Sequence, residues 1–221
     1  MSMNLRNERG FTLAELMVAT LITTAVLGGA VMLTSQVQNS FRRQIEDSAG
    51  EQEGRYALDW VSRLIRAAGN NPFGLPVNVG DTANCPAPGQ TYDWVIINPL
   101  GNMTNDNIRL QTDANPPDGI LGGPACDQAN EDVTVSYDPM TSSITFLDNN
   151  LGGAAVVRTD AVIDGLLFVF KDSNRVPTAN PANVVYVETQ VTVRTRTINP
   201  ITMLPETRLL TQEVRLRGRN F

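Results

Sequence analysis

The chain contains no histidine, a single lysine (Lys171) and two cysteines among its 221 residues. Without histidine, the commonest general base and metal ligand is missing. No serine or cysteine has a base signature near it, and no glycine-rich phosphate loop is present, so the sequence predicts neither an enzyme nor a cofactor. A formal net charge of −6 argues against nucleic acid as the main partner.

Charge is also scarce in residues 11–33, where Glu15 is the one ionisable side chain. A helix of this length spans about 35 Å, enough for a bilayer core of about 30 Å. Arg6 and Arg9 precede it, so the positive-inside rule places residues 1–10 in the cytoplasm and the rest outside. An ordinary anchor does not explain Glu15, because a carboxylate in hydrocarbon is unfavourable unless it is neutralised or paired.

Three interpretations of this segment compete. A signal peptide would be cut after the apolar run, but residues 31–36 fit an A-x-A-like site poorly. A plain single-pass anchor leaves Glu15 without a role. A cut between Gly10 and Phe11 would free an amino terminus four residues from Glu15, close to a suitable partner for the acid, and we favour this interpretation.

Residues 10–15, Gly-Phe-Thr-Leu-Ala-Glu, resemble the class III signal of type IV pilins and of the related pseudopilins of type II secretion. The resemblance implies that a prepilin peptidase cleaves between Gly10 and Phe11 and N-methylates Phe11. It also implies that Glu15 is the acid that docks subunits during assembly. Removing the leader (Arg6, Arg9 and Glu8, net +1) would take the mature chain from −6 to −7.

No proline interrupts residues 11–68, and apolar residues recur at steps of three and four, which predicts one helix of about 87 Å ending at Gly69. We expect a cleaved leader (1–10), a transmembrane half of the helix (11–33), an amphipathic half (34–69) and a β-rich domain (70–221). The pairs Gly28-Gly29 and Gly50/Gly54 are expected weak points of the helix.

Alternating and apolar runs beyond Gly89 predict strands, and no second helical period follows. The predicted fold class is therefore α+β and pilin-like: a long N-terminal helix packed by its second half on an antiparallel sheet. We expect residues 108–112 to be half-buried and residues 161–171 to form a central strand. The remaining predicted strands are 92–98, 132–137 paired with 143–147, 154–158, 184–196 and 208–217.

A finer resemblance lies in residues 52–60 and 63–69, which are similar to the helix signature of PilW-type minor pilins, and in residues 214–220, which are similar to that family's closing strand. It implies a low-copy subunit of a priming complex with other minor pilins and the major pilin. It also implies a place at the pilus tip, beneath an adhesin of the PilY family. The protein would reside in the inner membrane with a periplasmic domain, and on the cell surface after assembly. The alternatives are a J-like pseudopilin of type II secretion and a membrane-tethered binding domain.

Three features of the β-rich part have both a structural and a functional interpretation. An oxidising compartment favours a disulfide between Cys85 and Cys126 over two unpaired buried thiols. Residues 113–119 superficially resemble a calcium loop, but an Asx-, Pro- and Gly-rich turn is the favoured interpretation. Arg215, Arg217 and Arg219 share one face of a strand, which is usual for a solvated edge.

Overall fold

The computed structural model describes residues 11–71, 94–102, 104–113, 117–119, 128–198 and 201–216, without the side chains of 195–197. Residues 1–10, Cys85, Cys126, Arg217 and Arg219 lie outside this part, so the leader and the predicted disulfide stay predictions. The chain divides into two compact units, Met1–Ile45 and Glu46–Phe221.

Helix α1 runs Leu13–Ala67, within two residues of the predicted bounds at its start and one at its end, and continues through Gly28-Gly29. Gly69 ends it with a φ of 76°, a left-handed conformation that glycine adopts without strain. The Gly69 N–H donates to the carbonyl oxygen of Gln111 at 2.9 Å, so the helix end is bonded directly to a strand.

The strands form two antiparallel sheets instead of the single sheet that the sequence suggested. Five strands pair in the order β1-β2-β3-β4-β5, and three pair in the order β6-β7-β8. Their bounds are β1 Val95–Ile97, β2 Asn107–Gln111, β3 Asp132–Asp138, β4 Ser143–Asp148, β5 Val156–Val157, β6 Ile163–Lys171, β7 Tyr186–Ile198 and β8 Pro205–Arg215. A 3-10 helix, Pro181–Asn183, precedes β7.

One strand assignment changes. β6 is an outer strand of the three-stranded sheet, not a central one, because β7 pairs on one side of it only. Its other side is bonded to loop residues: the Phe168 N–H donates to the Asn105 carbonyl at 2.7 Å, and the Phe170 carbonyl accepts from the Thr178 N–H at 2.8 Å. The predicted β3–β4 hairpin is confirmed, with Val135 opposite Phe146.

The part of α1 that lies in the second unit packs on the sheets through a stripe of buried residues spaced three to four apart. Ala57, Val61, Ile65 and Ala68 are 0–1% exposed. The Trp60 ring lies 5.8 Å from that of Phe146 on β4, measured between centroids. The buried residues of this part of the helix thus follow the predicted steps of three and four.

Gly54 lets β7 and β8 approach the helix closely. A Cβ at this position would lie 2.6 Å from Leu210 Cδ1 and 2.7 Å from Val193 Cγ1, both too short for real contacts. One turn earlier, a Cβ at Gly50 would lie 3.5 Å from the Arg194 carbonyl oxygen, which is an ordinary contact. The two glycines therefore differ: Gly54 is needed for packing, and Gly50 is not.

Strand β2 is fully buried, not half-buried as the sequence predicted, since all five of its residues are buried. Its arginine belongs to a buried ion pair. Arg109 on β2 and Asp132 on β3 bond through Nε and Oδ1 at 2.6 Å and also through Nη2 and Oδ2. The same carboxylate accepts from Gln111 Nε2 at 3.0 Å and from Asn149 Nδ2 at 2.8 Å. The polar side chains Arg109 and Gln111 on the second face of β2 are thus bonded to a carboxylate of β3.

Exchanging Gly54 and Gly50 separately for alanine should have opposite effects. Gly54→Ala should lower the free energy of unfolding by about 1–3 kcal/mol, because the new methyl group overlaps the stiff, buried Val193 side chain. Gly50→Ala should be neutral or stabilising by up to about 1 kcal/mol, because alanine is the better helix former. Thermal unfolding of the full chain in detergent, followed by tryptophan fluorescence, measures both. Equal effects would contradict the packing role of Gly54.

Asp132→Ala should destabilise the fold by about 3–5 kcal/mol, because it leaves the Arg109 guanidinium buried without its carboxylate. The double variant Arg109→Met/Asp132→Leu should recover most of that loss, since no charge is then left unpaired. Asp138→Ala, at the far end of the same strand, is the control and should have a smaller effect. Denaturant unfolding in detergent measures the free energies of unfolding. A double variant no more stable than Asp132→Ala would refute the pairing argument.

The contacts of Lys171, the only lysine, predict that the stability of the three-stranded sheet depends on pH. Lys171 donates to Glu188 and, at 2.9 Å, to Glu213; these bonds raise the pKa of the lysine, and the bond from Lys171 lowers the pKa of Glu188. Glu188→Gln should therefore cost about 1 kcal/mol or less at neutral pH. The cost should be fully present above the usual glutamate pKa of 4.5 and should vanish as the pH falls through the lowered pKa of Glu188, where the folded wild-type carboxylate becomes protonated. Unfolding free energies measured at several pH values check this, and a cost that grows in acid would contradict it.

Candidate functional site

The helix of the first unit is exposed along its described length, residues 11–45, and its surface is apolar over residues 11–33. An 18-residue window of α1 has a mean hydropathy of 2.1 with none of its residues buried, and by length and composition the helix can cross a membrane. An exposed surface of this kind requires an apolar environment. The observation fits membrane anchoring of the N-terminal half.

The threonines of this segment are compatible with lipid, because their hydroxyl groups bond within the helix. Thr23 Oγ1 donates to the Ala19 carbonyl at 2.7 Å, and Thr34 Oγ1 donates to the Ala30 carbonyl at 2.8 Å. Thr20 and Thr24 bond in the same way to Met17 and Thr20. Such bonds leave no hydroxyl donor without an acceptor. Glu15 is then the one group of residues 13–33 whose charge needs a partner.

Thr12 and Glu15 form a capping box at the start of the helix. The Thr12 N–H and hydroxyl donate to Glu15 Oε2 at 3.0 and 3.1 Å, and the Glu15 N–H lies 3.3 Å from Thr12 Oγ1, to which it donates. Two groups at the helix N-terminus are thereby satisfied reciprocally. We had not predicted this arrangement, although the Thr-x-x-Glu spacing is its sequence signature.

The capping box leaves acceptor capacity on the acid. Oε2 takes both bonds from Thr12, whereas Oε1 accepts none from the described residues. A carboxylate can accept about four hydrogen bonds, so Glu15 can bind a cation without breaking the cap. Phe11, the residue that would carry the new amino group, is 87% exposed next to it. The predicted cleavage partner, Gly10, lies outside the described residues.

Asp113 and Arg215 are the other sequence candidates that lie within the described residues. Asp113 accepts from the N–H groups of Asp118 at 3.1 Å and Gly119 at 2.9 Å, the bonding of an Asx-rich turn; residues 114–116 lie outside the described part. Among the described residues, no three His, Cys, Asp or Glu side chains are grouped to hold a metal ion. Arg215 is exposed on β8, as the solvated-edge interpretation expects.

Comparison with known proteins gives one match. Residues 5–31 match the family described as the prokaryotic N-terminal methylation motif, the stretch that contains Gly10, Phe11 and Glu15. No curated protein and no solved structure matches the chain. The match covers the N-terminal segment alone and does not address the β-rich domain. It supports a precursor of the type IV pilin-like kind, pilin or pseudopilin, anchored by its N-terminal helix.

Proposed function

We propose that the protein is a minor pilin of a type IV pilus, inserted in the inner membrane as a precursor and assembled into a priming complex at the pilus tip. The observation that carries this is an acid with a free oxygen at the start of an exposed apolar helix, inside the N-terminal methylation motif. Its work is docking between subunits; no reaction on a substrate is part of the proposal.

Processing by prepilin peptidase between Gly10 and Phe11, with N-methylation of Phe11, would leave the cap in place. The capping bonds use only atoms of Thr12 and Glu15, and both residues remain in the mature chain. Cleavage adds an α-amino group one residue before the cap. Glu15 has no cationic partner among the described residues, and the new amino group supplies a charge of the required sign.

The positions of the Phe11 amino group and the Glu15 carboxylate would then favour docking between subunits. The amino group of Phe11 carries a positive charge next to the positive end of its own helix, and these two like signs disfavour leaving it alone in lipid. Oε1 of Glu15 on an adjoining subunit offers a matching charge at a similar depth. In a medium of low dielectric constant this attraction is much stronger than in water. Neighbouring helices would replace lipid around the apolar surface at the same step.

Packing of the second unit supports the minor-pilin assignment, because the residues that resemble the PilW-type helix signature have defined roles. Gly54 gives clearance for Val193 and Leu210, Ala57 and Ile65 are buried, and Gly69 ends the helix. Arg55 and Arg63 form pairs with Glu51 and Asp59 one turn earlier. The proposed partners are other minor pilins, the major pilin, and an adhesin of the PilY family at the tip.

A J-like pseudopilin of type II secretion is the second candidate, since the methylation motif is shared by both kinds of precursor. Copurification with pilus proteins or with secretion proteins separates the two. Recovery from the inner membrane only, and never from sheared surface filaments, would instead favour a tethered binding domain.

The charge of Glu15 can be tested apart from its capping role. Glu15→Gln keeps a side chain that can complete a capping box, whereas Glu15→Ala removes both charge and cap. If docking needs the charge, both variants should insert and be processed, yet enter sheared filaments at least about tenfold less than wild type. Quantitative proteomics of filaments and membranes measures this. Normal incorporation of Glu15→Gln would refute docking by charge.

Gly10→Leu serves as the control for processing. This variant should retain the ten-residue leader, visible in the intact mass of the protein, and should fail to assemble with Glu15 unchanged. A native wild-type chain that still begins at Met1 would overturn the proposed maturation.

A further inference from the structure

Strand β8 has a long edge that no described strand covers. It runs Pro205–Arg215 and pairs with β7 on one side, from Tyr186 opposite Arg215 to Arg194 opposite Thr207 without a shift in register. The alternate residues Thr207, Leu209, Thr211, Glu213 and Arg215 are all exposed. An edge of eleven residues is long enough to pair with another chain.

The backbone bonds of the sheet identify which groups point outward. The Leu216 N–H donates to the Val185 carbonyl at 2.9 Å, and the Arg194 N–H donates to the Val162 carbonyl at 2.9 Å. Even-numbered residues of β7 therefore face β6, odd ones face β8, and the register places even-numbered residues of β8 against β7. The N–H and C=O groups of Leu209, Thr211 and Glu213 consequently point away from the sheet. They make no hydrogen bond with the described part of the chain.

The other edges differ from β8. The outer side of β6 is bonded at Phe168 and Phe170 by loop residues, as described above. In the five-stranded sheet, β1 has three residues and β5 has two, too few for a stable added strand. Among the described strands, β8 alone combines length with an open side.

A hollow lies beside this edge, between β8 and the helix. It has a volume of about 380 Å³ and is lined by Arg55, Leu58, Leu210, Thr211 and Gln212. Leu58 and Leu210 supply an apolar floor, while Arg55 is exposed and bonded to Glu51. In a sheet, alternate side chains of an added strand would point toward the helix, which is the side of the hollow.

We propose that β8 accepts a β-strand from a neighbouring subunit of the assembly, with an apolar side chain of that strand seated in the hollow. Main-chain hydrogen bonds supply affinity in this mode of recognition, and pockets for alternate side chains supply specificity. Only the identification of the partner as a fellow subunit rests on the proposed function.

The charges along β8 restrict what can pair there. Arg208 lies on one side of the uncharged stretch Leu209–Gln212, Glu213 and Arg215 lie on the other, and Pro205 begins the strand. Charged side chains and proline at an edge discourage indiscriminate pairing. The added strand is therefore short, about four or five residues, and free of proline.

Thr211→Pro removes an outward N–H without touching the bonds between β7 and β8, and an edge strand tolerates proline at such a position. Thr211→Ala is the matched control, because it removes the side chain and keeps the N–H. The proline variant should enter sheared filaments at least about tenfold less than the alanine variant, with a similar unfolding temperature. Equal incorporation of the two would overturn strand addition while leaving the proposed function intact.

Hydrogen–deuterium exchange of the wild-type chain decides the matter should Thr211→Pro fail to fold. Amides of Leu209 and Thr211 should exchange at least about tenfold more slowly in the purified assembly or native membrane than in the isolated chain in detergent. Amides of Leu210 and Gln212, already bonded to β7, are the internal control. Equal rates for the outward amides in all preparations would refute the proposal. Protection in membranes that yield no filament would refute the pilus assignment and support strand addition.

Discussion

The first turn of α1 is the constraint on which the rest depends. A helix that begins in lipid exposes N–H groups that no water can satisfy, and each such group is costly in hydrocarbon. Thr12 and Glu15 satisfy two of these donors with groups from the chain itself. A carboxylate in this place is stabilised by the positive end of the helix and by its two bonds from Thr12. The same carboxylate keeps a free oxygen, so the group that stabilises the end of the helix can also attract a cation from another chain.

The second half of the helix obeys a different requirement, which is close contact with a sheet. Side chains of ordinary size would hold β7 and β8 away from the helix axis, and Gly54 removes that obstacle at the cost of helix propensity. In the core of the same unit, large residues such as Ile65 and Phe168 are fully buried. One continuous helix thus combines an apolar stretch suited to lipid with a stretch that packs on a sheet. In the second stretch, Gly54 provides the close contact.

The sequence predicted those features of the fold that depend on residues close together in the chain. It gave the helix to within two residues and the β3–β4 hairpin, because a stripe of period 3.6 and a short Asp-Pro turn are local signals. It missed the division into two sheets, because which strands pair with which is decided between distant segments and not by local signals. It could not find a partner for Asp132, since Arg109 lies 23 residues away and is brought near by strand pairing. The capping box was within its reach, because Thr12 and Glu15 are three residues apart.

Both proposed contacts use hydrogen-bonding groups that have no partner in the described part of the isolated chain. Glu15 has an unused acceptor at the start of the helix, and β8 has a row of unused backbone groups in the β-rich unit. Folded domains usually satisfy or blunt such groups, because an open edge invites aggregation and an unpaired charge is unfavourable in lipid. The β-rich unit does so elsewhere: the outer side of β6 is bonded by loops, and the buried Arg109 is paired. An open acceptor at Glu15 and an open edge at β8, both within the described part of the chain, suit a component whose structure is completed by its neighbours.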